Sequence, residues 1–284
     1  HRRPKVILFD IGGVVVQSPF QAILDYERAH AIPTGYINHA ISASAPNGSW
    51  QRLERGQIPL DDAFFDAFRA DLCKADVWES YCRKNAAADT DTALQSPPPP
   101  PQIDTKALFW SMMRISRTPD PHIYPLLLRL REHAAATTSL TTQQPSLILA
   151  ALSNTVAFPP GIRDEKGTVF EPGVNLSGSS ISQSTTTQPQ HQPLNGLFSI
   201  FISSAHVGLR KPDPAIYALA VRELDNYVRK YNPNGEGVKP ADILFLDDIG
   251  QNLRAAREMG MRTLKVELGR TEEAAGVVAE MMGL

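Results

Sequence analysis

Cysteine is scarce: Cys73 and Cys82 are the only two in 284 residues. A disulfide framework is thereby excluded, and their spacing is not the two-residue gap of a zinc or redox pair. No stretch approaches the roughly 18 consecutive apolar residues needed to span a bilayer. Excess charge of one sign is missing as well, since 28 Lys and Arg face 30 Asp and Glu for a formal net charge of -2. Nothing basic advertises a nucleic acid or an anionic membrane as a partner. The opening HRRPKVILFD runs from basic residues through a short apolar segment to an acid. It lacks the long apolar stretch and small-residue cleavage site of a signal peptide. The seven histidines show no metal-ligand spacing, and no internal repeat is visible. The expectation is a soluble, cytoplasmic protein with no nucleic-acid or membrane partner.

What is present is a series of short apolar runs, each ending in polar residues. Val6 to Phe9 ends at Asp10, and Leu147 to Leu152 ends at Ser153 and Asn154. Leu197 to Ile202 ends at Ser203 and Ser204, and Ile243 to Leu246 ends at Asp247 and Asp248. Helical patterns over Pro121 to His133, Pro214 to Lys230 and Gln251 to Met259 lie between or after them. Strands apolar on both faces that alternate with helices predict an α/β fold with a parallel, doubly wound, Rossmann-like sheet.

Between Ser18 and about Thr118 the character changes to amphipathic helices, including Phe20 to His30, Pro33 to Ser44 and Leu60 to Cys73. This segment predicts an inserted α-helical cap, with residues 1–17 and 119–284 as core and 18–118 as cap. Its place after the first strand lets it close over the carboxyl edge of the sheet, where open α/β sheets bind ligands. Pro97 to Pro101, Thr137 to Ser146 and Ser177 to Pro193 are rich in Pro, Ser, Thr and Gln. With few apolar residues to pack, they read as surface loops.

Parallel strands would bring Asp10, Ser153-Asn154, the Lys211 segment and Asp247-Asp248 to one edge. Any one acid after a strand is usually a turn or cap residue, but this joint order is hard to explain that way. The segments FDIGGVVV, LSNT, GLRKPDP and FLDDIGQN, in this order, resemble the motifs of the haloacid dehalogenase-like (HAD) hydrolase superfamily. The first, third and fourth of these, with GSWQRLERGQI, most resemble the branch holding the N-terminal phosphatase domain of soluble epoxide hydrolase and the corresponding domain of acyl-CoA dehydrogenase family member 10. The motif similarity spans residues 5 to 17, about 47 to 60, and 147 to 269.

The resemblance implies a hydrolase, specifically a phosphomonoester phosphatase for a small phosphorylated metabolite, with Asp10 as nucleophile and Mg2+ as cofactor. A carboxylate can attack phosphorus and form an aspartyl-phosphate without a base to activate it. The implied metal ligands are Asp10, the backbone carbonyl of Gly12 and Asp248, with Asp247 orienting a water or the lysine. Adjacent residues of a strand point to opposite sides, which favours Asp248 as direct ligand and Asp247 in support. Lys211 is implied to hold the nucleophile and the phosphoryl group, while Ser153 offers its hydroxyl and Asn154 its backbone N–H. Gly13 and Trp50 are candidate substrate contacts, though Trp50 reads equally as a core residue. Arg52, Glu54 and Arg55 read as a solvated helix face, Asp213 as an N-cap ahead of Pro214, and Asn252 as a helix-start residue.

Position 12 departs from the pattern. Relatives with phosphatase activity usually carry a second acid there, which protonates the leaving oxygen and then activates water; here it is Gly12. General acid and base help is worth about 10²- to 10⁴-fold. Gly12 and Gly13 also read as residues that permit a tight turn. Two alternatives therefore stand beside the phosphatase: a weak or inactive phosphate-binding regulatory relative, and a metal-independent 2-haloacid dehalogenase, whose halide leaves unprotonated.

Overall fold

A computed structural model describes residues 3–86, 98–137, 146–170, 194–233 and 235–284. The first strand, β1 (Val6–Phe9), is wholly buried. Six helices follow: α1 (Pro19–Ala29), α2 (Tyr36–Ala43), α3 (Ser49–Glu54), α4 (Asp62–Leu72), α5 (Ala75–Ala86) and α6 (Thr105–Ile115). Then come α7 (Ile123–Ala136), β2 (Ile148–Ser153), β3 (Ile200–Ser203), α8 (Ser204–Val207) and α9 (Pro214–Tyr231). The chain ends with β4 (Ile243–Asp247), α10 (Gly250–Glu258), β5 (Arg262–Lys265) and α11 (Thr271–Met282).

The five strands are all parallel, in the order β3-β2-β1-β4-β5. From β1 the chain builds outward through β2 and β3, then crosses to the other side for β4 and β5. The crevice this reversal leaves at the strands' carboxyl ends is where such sheets bind ligands. Alternate strand residues feed opposite faces. Ile7, Phe9, Leu149, Ala151, Leu244 and Leu246 pack under α7 and α11. Val6, Leu8, Ile148, Ala150, Ile243 and Phe245 pack under α9 and α10.

The helices from α1 to α6 bury a third cluster, rich in rings: Tyr36, Phe64, Phe68, Trp78, Phe109 and Trp110 among others. Carboxylates cap several of them. Asp61 accepts from the Phe64 N–H at 3.0 Å and Asp104 from the Ala107 N–H at 3.0 Å, satisfying donors that the first helical turn leaves free. The chain after β2 also joins this cluster through Val156, Phe158, Ile162 and Phe170. Ring packing therefore runs from the helical layer into a segment that sequence patterning assigns to the core.

One expectation shifts. The run Leu197 to Ile202 is not one strand: Leu194–Leu197 forms a 3₁₀ turn and β3 starts at Ile200. Leu197 and Phe198 pack under the sheet instead of extending it. Neither β5 nor α11 was signalled, because RTLK carries too few apolar residues for a buried run and lies at the sheet's edge. Ser177 to Pro193, and the greater part of Thr137 to Ser146, lie outside the described residues, as does Pro97.

Candidate active site

Asp10 follows β1 directly, and its N–H donates to the Leu246 carbonyl at 2.8 Å. Its carboxylate accepts from the Ile11 N–H at 2.7 Å and pairs with Lys211 Nζ at 2.9 Å. The chain then coils back, with the N–H groups of Val14, Val15 and Val16 all donating to the Ile11 carbonyl. Gly13 makes this possible. Its φ is +80°, and a Cβ there would lie 2.3 Å from Asp248 Oδ2. Gly12 has no such need: its φ is not positive, and the nearest atom to an added Cβ is Pro19 Cδ at 3.4 Å. The turn-forming role expected of both glycines therefore holds for Gly13 alone, and the acid missing from position 12 is not excluded by lack of space.

Lys211 is buried between two acids, with Nζ 2.9 Å from Asp10 and 2.7 Å from Asp247. Burial alone would favour loss of its proton, but the two carboxylates outweigh burial and hold its pKa above the ordinary lysine value. The Asn154 side chain fixes the lysine's backbone on both sides. It accepts from the Lys211 N–H at 2.8 Å and donates to the Lys211 carbonyl at 3.1 Å. Ser153 Oγ makes only a long 3.4 Å contact to the Asn154 carbonyl, leaving its hydroxyl weakly committed.

The two adjacent acids differ in their partners. Asp247 is fully buried and accepts from Lys211, from the Ile249 N–H at 2.7 Å, and from Asn252 Nδ2 at 3.1 Å on each oxygen. Asn252 is thus part of the site, correcting its reading as a helix-start residue. Asp248 has its own backbone N–H as a hydrogen-bond partner. Oxygen atoms of Asp10, Asp247 and Asp248 lie within 4.8 Å of one another. Burial, then the charges of Asp10 and Asp247, push the Asp248 carboxyl up to about 8. Burial likewise pushes Asp10 up to about 7, against the pull of Lys211 and with a further push from Asp247.

Beside these strand ends lies a cavity of about 430 Å³ lined by Gly12, Trp50, Glu54, Ser153, Asn154 and Phe158 among others. Trp50 fits both of its readings: it lines the cavity and packs 5.4 Å from Phe68 and 6.2 Å from Phe109. Gly13 does not line it and lies against Asp248. Glu54 is no solvated residue. It is buried, and one of its oxygens takes both Nε and Nη2 of Arg210 at 2.7 Å. Burial raises its pKa against the opposing pull of Arg210. Arg52 is exposed, as expected, and Arg55 reaches the Pro46 carbonyl at 3.0 Å. Asp213 caps α9 through the Ala215 N–H at 2.8 Å, with Pro214 opening the helix.

No family model matches the chain. Over 263 residues it is 39% identical to bifunctional epoxide hydrolase 2 of Rattus norvegicus, covering 92% of this chain and 36% of that protein. Over 282 residues it is 23% identical to acyl-CoA dehydrogenase family member 10 of Mus musculus, covering 99% of this chain and 19% of that protein. The chain thus spans only a minor part of these relatives' length. It is also 29% identical to phosphatase MT3486 of Mycobacterium tuberculosis over 126 residues, covering 44% of this chain and 51% of that protein. Two solved structures share the fold at 16% identity. A predicted HAD-like family hydrolase from Porphyromonas gingivalis aligns with a TM-score of 0.51 over 97% of each chain. A HAD family enzyme from Bacteroides thetaiotaomicron aligns with a TM-score of 0.50, over 95% of this chain and 96% of its own. Relatives aligned along nearly the whole chain and structures of the same fold agree with the order of its motifs: the chain belongs to the haloacid dehalogenase-like hydrolase superfamily.

Proposed function

We propose that the chain hydrolyses a small phosphorylated metabolite in the presence of Mg2+, through an aspartyl-phosphate on Asp10. The observation that carries this reading is the grouping of three carboxylates within 4.8 Å around one buried ammonium. Among the described residues Lys211 is the one ammonium set between these acids, and Asp10 and Asp248 hold protons to about 7 and about 8. An all-oxygen donor set with surplus negative charge fits a hard divalent cation. Asp10, Asp248 and the Gly12 carbonyl would hold it, with Asp247 supporting from behind. When bound, the cation supplies charge neutralisation that lets one anion approach another.

In this reading an Asp10 oxygen attacks phosphorus, the bond to the leaving oxygen breaks, and that oxygen takes up a proton from solvent. Water then attacks the phosphorus of the aspartyl-phosphate, releasing inorganic phosphate and restoring the Asp10 carboxylate. Lys211 Nζ, Ser153 Oγ and the Asn154 N–H serve as donors to the phosphoryl oxygens, where charge accumulates. Residue 12 contributes no proton. The leaving group would lie in the cavity between Trp50, Phe158 and Phe170.

The test is phosphate release from p-nitrophenyl phosphate and a panel of phosphomonoesters, with Mg2+ or EDTA, on wild type and Asp10→Asn. Metal-dependent release that Asp10→Asn lowers by about 10⁴-fold or more supports the reading. Halide release from a 2-haloacid, insensitive to EDTA, would replace it with dehalogenation. Metal-dependent phosphate binding without turnover would replace it with a regulatory role. Among the described residues no helix is long and apolar enough to cross a membrane.

A further inference from the structure

Glu54 and Lys211 are linked by an unbroken path of contacts from the helical layer to the strand ends. The Glu54 carboxylate grips Arg210, the residue before Lys211, through two 2.7 Å contacts. The Glu54 carbonyl accepts from Ser204 Oγ at 2.6 Å, and Ser204 Oγ in turn accepts from the Thr155 N–H at 2.8 Å. Thr155 adjoins Asn154, whose side chain clamps the Lys211 backbone. Two residues beyond Glu54, Gly56 lies against the Ala205 carbonyl so closely that an added Cβ would sit 2.2 Å from that oxygen. The turn that closes α3 is therefore fitted to the chain around α8 by a partly buried ion pair, a hydroxyl relay and a backbone contact.

We propose that Glu54 is a positioning residue: docking its carboxylate on Arg210 fixes the Lys211 main chain and so holds Nζ between Asp10 and Asp247. The groups facing Glu54 are Arg210, the Trp50 indole and, at longer range, Lys211; His206, on α8, lines the same cavity. A carboxylate held by a guanidinium on two nitrogens is geometrically specific. Removing its charge leaves the Arg210 guanidinium, 21% exposed, without this counter-charge. The loop then relaxes, and the lysine loses its register with both acids. Displacement of a catalytic group by about 1 Å costs on the order of 100-fold in rate. The catalytic consequence rests on Lys211 serving Asp10 as proposed above; the structural coupling does not.

Two arms keep these apart. Amide exchange, which needs no activity, compares wild type, Glu54→Gln, Arg210→Met and the double variant, with Arg52→Ala as control. The Thr155 and Lys211 amides of Glu54→Gln should lose on the order of tenfold in protection, while the Phe9 amide in β1 keeps its own. The double variant should be no worse than either single one, as coupled residues are non-additive. It also removes the stranded guanidinium, preserving the test if a single variant does not fold. Kinetics on an active wild type should then show kcat falling about 100-fold for good and poor leaving groups alike, with KM little changed. Unchanged exchange, additive effects, or an unchanged kcat overturns the proposal. So does a loss confined to poor leaving groups, which would make Glu54 a proton donor instead. Wild type without phosphatase activity would sink the functional reading alone, leaving the exchange result to decide the coupling.

Discussion

The sheet and the helical layer are held by different means. Around the strands the buried residues are chiefly aliphatic, and the polar groups at their ends are fixed by directional bonds: Asp10 to Ile11, Asn154 to Lys211, Asn252 to Asp247. The helical layer is a cluster of rings, with Phe109 within 5.1 to 6.2 Å of Trp110, Phe65, Phe64 and Trp50. Ring packing is tolerant of small shifts, whereas charge-assisted hydrogen bonds are not. Chemistry that needs sub-ångström placement is thus assigned to the strands, and the enclosing wall to the rings.

The largest expected effect comes from moving a chemical group onto the strand side. A Cβ at position 12 meets nothing closer than 3.4 Å, the residue lines the cavity and its backbone is not unusual, so Gly12→Asp should raise kcat on alkyl phosphates about 10²- to 10⁴-fold, with a smaller gain on p-nitrophenyl phosphate. Equal gains on both would mean that protonating the leaving group is not what position 12 lacks. Next are Phe109→Ala and Leu246→Ala, each removing a buried side chain and costing about 3–5 and 2–5 kcal/mol by chemical denaturation. They should part company in Mg2+ affinity by calorimetry, Leu246→Ala weakening it and Phe109→Ala not. Equal losses would erase the contrast between the two regions.

A smaller effect follows from the acids. Asp10 and Asp248, whose folded pKa values are about 7 and about 8 against an ordinary 3.8, bind protons more tightly when folded. The resulting stability is complete below about pH 4 and is lost as pH rises through 7 to 8. Without metal, Tm should therefore fall over that range, and Mg2+ should raise Tm more at pH 8 than at pH 5.5, because binding must displace those protons. A Mg2+ shift independent of pH would count against the carboxylates as ligands. The smallest effect is at a single polar link of the helical layer: Thr105→Val, which deletes the 2.9 Å bond from Oγ1 to the Phe65 carbonyl, should cost about 1 kcal/mol and leave activity untouched.

Much of the strand edge was legible in the sequence, because buried strands are short apolar runs and their ends are marked by the first polar residue. Asp10, Ser153, Asn154, Asp247 and Asp248 come out that way, and Lys211 through its motif. Glu54 and Asn252 did not. Local pattern places Glu54 among charged neighbours on a short helix, and its burial depends on Arg210, a partner 156 positions along the chain. Asn252 begins a helix and also reaches back five residues to Asp247; only the first role has a local signal. The strand β5 escaped because an edge strand can be polar, and Phe158 and Phe170 because their packing partners lie in helices before β2.

Gly13 bears on how this site can change over evolutionary time. Its missing side chain leaves the space that the Asp248 carboxylate occupies, so two positions 235 residues apart constrain one another's substitutions. Alanine at 13 would meet both the Asp248 carboxylate and an unfavourable backbone angle, so a shorter residue at 248 would remove only the first obstacle. Lineages that abandon this acid would lift one of two constraints on residue 13, since its φ of +80° still selects glycine for the turn.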